Sequence, residues 1–122
     1  MVYNTKGYTP KQGDIIWIEF DPSIGRDIKK IRPSVVLSSY KYNATTGFVI
    51  VCPITSTHRK EFLELEENQK IKGYINPLQI KGFDFVDPAR KVTFAEELQD
   101  VELFKVLQVI EDIFELSTSS ID

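Results

Sequence analysis

With 122 residues, 42% of them hydrophobic and 27% charged, the chain suits one globular domain built on one core. A net charge of −3 and a pI near 5.2 argue against a general nucleic-acid binder, which would be basic overall, but leave room for a local basic site. No apolar run approaches the roughly 18 residues of a membrane span, and Met1–Gln12 lacks the apolar centre of a signal peptide, so a cytoplasmic protein is expected.

The residues of first chemical interest are scarce. A single cysteine rules out an internal disulfide. Cys52 lies in the apolar run Val49-Ile50-Val51-Cys52-Pro53-Ile54, where a buried reduced thiol is expected rather than a nucleophile. One histidine and no cluster at ligand spacing argue against a metal site, and the lack of a second histidine excludes a two-histidine ribonuclease. Gly25 is isolated, so there is no phosphate-binding glycine loop, and no cofactor is expected.

Residues 1–12 are polar, contain Gly7 and Pro10, and read as a flexible N-terminal arm ahead of a single domain over 13–122. Asp14 to Phe20 reads as a strand, half-buried because Glu19 stands between Ile18 and Phe20. A polar link from Ser23 to Ile31 follows, then a second strand from Pro33 to Ser38. Asn43 to Gly47 suggests a turn, since Asn and Gly tolerate positive φ. Phe48 to Ile54, apolar on both faces, is expected at the centre of a sheet. Short strands follow at Phe62–Leu65, Gly73–Leu78 and Lys91–Phe94, the second interrupted by Pro77. Ala95–Leu98 reads as a short turn, with Thr93 and Glu96 spaced for a capping box. Leu98, Val101, Phe104, Leu107 and Ile110 recur at helical spacing, which places the terminal helix at about 100–116. The expected fold is mainly β with a C-terminal helix, a small bent barrel.

Charge is segregated along this chain. The link carries Arg26, Lys29, Lys30 and Arg32 against Asp27, and Thr55, Ser56, Thr57, His58, Arg59 and Lys60 follow the central strand. The acids concentrate at 61–67 and 96–115. From charge alone the basic link is a solvated loop. Arg32 stands apart because Pro33 restricts it to extended geometry, on a stiff strand start. A positioned guanidinium grips phosphate bidentately, and Thr55 and Ser56 could donate to the same group. Trp17, Tyr40 and Tyr42 could stack on bases, although a core role is favoured for Trp17.

An ordered set of residues resembles the MazF/PemK family of toxin endoribonucleases. It comprises Gly13-Asp14-Ile15-Ile16-Trp17, Phe20-Asp21-Pro22, Gly25, Arg32-Pro33 with Val35-Val36-Leu37-Ser38, Tyr42-Asn43, Gly47, Pro53-Ile54-Thr55, Gln79-Ile80-Lys81 and Glu96-Glu97-Leu98. The resemblance implies an SH3-like β-barrel of the CcdB/PemK-like toxin fold and a homodimer. It also implies metal-independent cleavage of single-stranded RNA at short sequences and a MazE-like antitoxin partner. Arg32 matches the family's catalytic arginine and Thr55 its catalytic threonine, while Asp27 stands where some members have a functional glutamate. Arg26, Lys29, Lys30, Ser56, Thr57, His58, Arg59, Gln79 and Lys81 form the expected RNA-binding set. The chain departs from the family at Asp27-Ile28 and Lys29-Lys30, which replace the usual Glu-Gln and a following Gly. Whether Asp27 or water accepts the proton stays open. The competing class is a non-catalytic barrel toxin of the CcdB type, which binds DNA gyrase through its C-terminal helix. A third is an RNA-binding barrel without cleavage.

Overall fold

A computed structural model describes residues 7–20 and 31–116. Strands β1 (Asp14–Glu19), β2 (Ile31–Val36), β3 (Phe48–Thr55), β4 (Leu63–Glu64), β5 (Tyr74–Ile75), β6 (Lys81–Asp84) and β7 (Thr93–Glu97) form one strongly bent sheet. Helix α1 (Tyr40–Thr46) joins β2 to β3, and α2 (Asp100–Phe114) closes the described chain. The strand order is β4-β5-β3-β2-β1-β7, with β6 paired to β3 as well, and all pairings are antiparallel. This is the expected mainly β barrel with a C-terminal helix.

The three central strands are buried on both faces, which explains their near-continuous apolar sequence. Ile15, Val35, Cys52 and Ile54 enter one core with Leu65, Ile75, Leu98 and Val106. The alternate residues Ile16, Ile18, Val36, Val49 and Val51 enter a second core with Phe83 and Phe85. Each such side chain contributes about 1.5–3 kcal/mol of hydrophobic stabilisation. Burial on both faces also corrects the reading of β1 as half-buried. Even Glu19 is only 3% exposed there. Burial pushes the Cys52 thiol up to about 12, so it is an inert core residue.

Several local expectations are revised. The turn at 43–47 is the end of α1. Ser39 caps this helix by accepting from Tyr42 N–H at 3.1 Å, and Gly47, at φ 76°, ends it by donating to Asn43 O. The alternation-free stretch Lys81–Asp84 is a strand because it pairs with β3, Val49 opposite Phe83. The turn at Ala95–Leu98 lies largely in β7 instead. There Glu96 pairs beside Ile15, and its carboxylate accepts from Lys70 and Ile71 N–H rather than capping a helix. Residues 7–12, expected as part of a flexible arm, pack on the barrel. Pro10 is fully buried, and Tyr8 donates to Asp14 and meets the Phe94 ring edge-on at 5.7 Å. Residues 1–6 of that arm lie outside the described residues.

Asn43 ties these pieces together. Its fully buried amide donates to Pro10 O at 2.9 Å and accepts from Ser38 Oγ at 2.6 Å. Ser38 Oγ in turn accepts from Ile50 N–H at 2.9 Å. Asn43→Ala should therefore leave buried groups unpaired and cost about 1–3 kcal/mol, read as a lowered urea midpoint.

Glu102 offers a second test. It is 4% exposed on α2, its Oε2 accepts from Glu66 N–H, and its Oε1 has no partner among the described residues. Burial raises its carboxyl above the ordinary range. The folded state thus holds the proton to higher pH than the unfolded state. The linked stability is full below the ordinary carboxylate range and falls as pH rises through the raised value. Glu102→Gln keeps an acceptor for Glu66 N–H and cannot ionise. Its stability relative to wild type should climb from acidic to neutral pH in paired urea titrations. A pH-independent difference would contradict this.

Candidate active site

The site begins with a register. Ser34↔Pro53, Val35↔Cys52 and Val36↔Val51 align β2 with β3. The pairing ends at Ser34 and Pro53, and Arg32, two residues before Ser34, and Thr55, two residues after Pro53, lie at the adjoining ends of the two strands. Arg32 and Thr55 accordingly line one cavity of about 270 Å³, with Phe20, Pro53, Thr57, Arg59, Phe62, Asn76 and Gln79.

Each wall residue is held by its backbone neighbourhood. The half-buried Thr55 accepts from Thr57 N–H at 3.1 Å through Oγ1, which orients the hydroxyl and leaves its proton to donate. Asn76 donates its backbone N–H to Pro53 O at 2.9 Å, and its Oδ1 accepts from Leu78 N–H at 3.0 Å. That turn leaves the two amide N–H donors of Asn76 for the cavity side. Phe20 meets the Phe83 ring edge-on at 5.0 Å. Arg90 fixes the end of β1 by donating to Glu19 O at 2.9 Å and Phe20 O at 3.0 Å, with its guanidinium 4.6 Å from the Phe83 centroid.

Among the described residues the lining carries two guanidinium groups, Arg32 and Arg59, and no carboxylate. Both arginines are exposed, Arg32 in β2 and Arg59 in the loop after β3, as is Thr57 in the same loop. Two forked cations, two hydroxyls and two side-chain amides make an anion-attracting pocket of the kind a phosphodiester fits. A second depression of about 390 Å³ shares Arg59, Phe62, Asn76 and Gln79 with the first and adds Glu61 and Leu78. The two form a continuous groove with an aromatic ring and amides along it.

Of the residues singled out from sequence, Arg32, Thr55, Thr57, Arg59 and Gln79 come together. Ser56 and His58 sit on the adjoining loop outside the lining, and the His58 ring meets Tyr74 at 5.0 Å. Lys81 lies in β6 opposite Val51, also outside the lining. Arg26, Asp27, Lys29 and Lys30 lie outside the described residues. Trp17 is half-buried in β1 between Pro33 and Thr93, which agrees with a barrel role. Phe20, Phe62 and Asn76 are wall residues that the sequence reading did not assign. Asn76, polar beside Pro77 at a strand end, carried the one usable signal.

Comparison with known proteins agrees with this geometry. Residues 11–114 match the family of PemK-like, MazF-like toxins of type II toxin-antitoxin systems. The endoribonuclease toxin MazF of Escherichia coli K12 is 45% identical over 49 residues, which are 40% of this chain and 44% of that protein. The match thus spans less than half the length of that relative. A crystal structure of MazE-MazF from Deinococcus radiodurans superposes with a TM-score of 0.81 at 25% identity, covering 91% of this chain and all of that one. An endoribonuclease in complex with its cognate antitoxin from a mycobacterial species shares the fold, with a TM-score of 0.70 at 15% identity over 89% of this chain and 96% of its own. Since the family match takes in every strand and α2, the chain belongs to the PemK-like, MazF-like toxins of type II toxin-antitoxin systems.

Proposed function

We propose that this toxin is a sequence-specific, metal-independent endoribonuclease of single-stranded RNA. The observation that carries the reading is the juxtaposition of Arg32 and Thr55 in one cavity with Arg59 beside them. The RNA 2′-hydroxyl attacks the adjacent phosphorus, and the bond to the 5′-oxygen breaks. The products carry a 2′,3′-cyclic phosphate and a 5′-hydroxyl. Arg32 stabilises the charge that gathers on the phosphorane-like transition state, an effect often worth about 2.7–4 kcal/mol per donor. Thr55 donates its hydroxyl proton to a non-bridging oxygen. Arginine stays protonated, so Arg32 is an electrostatic partner rather than the base. Asp27 is the chemically simpler acceptor of the 2′-hydroxyl proton, with water the other candidate. Arg59, Thr57 and Gln79 hold the strand along the groove. The cationic link with Arg26, Lys29 and Lys30, together with Ser56, His58 and Lys81, completes the RNA-binding surface.

The partner is a cognate antitoxin. Solved relatives include MazE-MazF and toxin–antitoxin complexes. An acidic, partly disordered antitoxin segment suits a groove lined by arginines and would compete with RNA. A homodimer is proposed as well. Val101 and Phe104 on α2 are 60% and 64% exposed, an apolar surface that suits pairing. The same surface underlies the gyrase-binding alternative. Arg32 and Thr55 in one cavity favour the nuclease.

Arg32→Ala should abolish most cleavage of a short RNA while the circular dichroism spectrum stays unchanged. Thr55→Ala should cost less, because it removes one neutral donor. Asp27→Asn separates positioning, a flat loss across pH, from proton transfer, which removes an inflection in the pH–rate profile. EDTA should leave the rate unchanged, since among the described residues no group of three or more histidines, cysteines or carboxylates stands where it could hold a metal ion. Efficient cutting of an RNA with 2′-deoxyribose at the cleavage position would refute internal attack.

Assembly and partner have their own tests. Sedimentation at micromolar concentration should show a species larger than the 14.0 kDa chain. Antitoxin binding should weaken with added salt and on changing Lys29 and Lys30 to Glu.

A further inference from the structure

The segment between β4 and β5 is fastened in an unusual way. Its ends form a short hairpin, Leu63↔Ile75 and Glu64↔Tyr74, closed by Leu65 N–H donating to Gly73 O at 3.0 Å. Its middle is tied to the junction of β7 and α2. Glu66 N–H donates to Glu102. Lys70 and Ile71 N–H donate to the two oxygens of Glu96 at 3.1 and 2.6 Å. Gln69 bridges Glu97 O at 3.3 Å and Gln99 N–H at 2.9 Å, and is itself 2% exposed. At the other end Gly73 meets the site. Its φ is +129°, and a Cβ there would fall 2.6 Å from Thr55 O and 3.3 Å from Thr55 C. Only glycine lets the chain press against that peptide. Tyr74, the next residue, pairs directly with Thr55.

We propose that residues 65–73 act as a strut that positions Thr55, anchored by Glu96 and Gln69 at one end and bearing on the Thr55 peptide through Gly73 at the other. Neither Glu96 nor Gln69 lines the cavity, so both are positioning residues. A hydroxyl displaced by about 1 Å from its donating geometry loses much of its effect on rate, of the order of 100-fold in unfavourable cases. The chain thereby couples the β7–α2 junction to Thr55 through the side-chain anchors Glu96 and Gln69 and the close approach of Gly73. The kinetic part of this inference rests on the nuclease reading. The structural part does not.

The test uses the full-length protein. Glu96→Ala removes the acceptor of two strut N–H groups. We expect it to fold, to lose about tenfold in kcat on a short RNA, and to hold KM within about twofold, since the effect falls on the reacting geometry rather than on binding. Glu96→Gln, which keeps one oxygen, should recover part of the loss. In the RNA-free protein the Thr55 and Thr57 amide resonances should move in Glu96→Ala and return toward wild type in Glu96→Gln. Gln69→Ala should act likewise, and it carries the same expectations if Glu96→Ala does not fold. A folded variant with wild-type kcat, or one whose Thr55 and Thr57 resonances stay in place, would overturn the proposal. Moved resonances in a protein whose wild type cuts no RNA would support the strut and reject the nuclease reading.

Discussion

The antiparallel register of β2 on β3 is the constraint on which the site depends. Ser34 opposite Pro53 leaves Arg32 and Thr55, each two residues nearer its strand end, at one end of the pair, where both line the cavity. A slip of one residue would turn the whole strand over, sending Arg32 to the other face and Val35 out of its core. The register is therefore enforced by the same side chains that make the core. Val35 and Cys52 belong to one buried layer, Val36 and Val51 to the other. Wrong pairing would expose both layers at once.

Covering a sheet on both faces with so short a chain leaves polar groups inside, and the fold satisfies them with single side chains that each bridge distant segments. Asn43 joins residue 10 to the start of α1, and Ser38 joins β2's exit to β3. Glu96, Gln69 and Glu102 hold a loop whose backbone N–H groups have no strand partner. Glu102 does so with one oxygen unpartnered among the described residues and with a carboxyl that burial raises above the ordinary range. These contacts set loops instead of filling volume.

A chain with net charge −3 presents a cationic groove because the charges are sorted by place. Arg32 in β2 and Arg59 in the loop after β3 line one cavity, while exposed acids lie along α2 at Asp100, Glu111 and Asp112. At physiological ionic strength the Debye length is about 8 Å, so surface acids beyond that reach do little to a phosphate seated between two guanidiniums. Net charge is thus a poor guide to what such a protein binds.

Much was legible in the sequence. The unbroken apolar run at 48–54 betrays a strand buried on two faces, whereas Glu19 disguised the same burial in 14–20, and the helical spacing from Leu98 onward betrays α2. Pro33 identifies Arg32 as the stiff cation, because the restriction it imposes is local. Local chemistry also gave the end of α1 at Gly47, though not the helix before it, since a helix of 7 residues has no periodicity to display. What local chemistry could not give came from partners far along the chain. Lys81–Asp84 is a strand because β3 offers it an edge, and Glu96 is an acceptor because residues 70 and 71 arrive beside it. Phe20, Phe62 and Asn76 share a cavity wall only after the sheet bends, and Gly73 carries meaning only against the Thr55 carbonyl. Sequence alone determined which residues could do the chemistry and which would be buried, since both follow from side-chain type and short-range pattern. Tertiary structure decided which of them meet, because contact between residues tens of positions apart is set by register and packing.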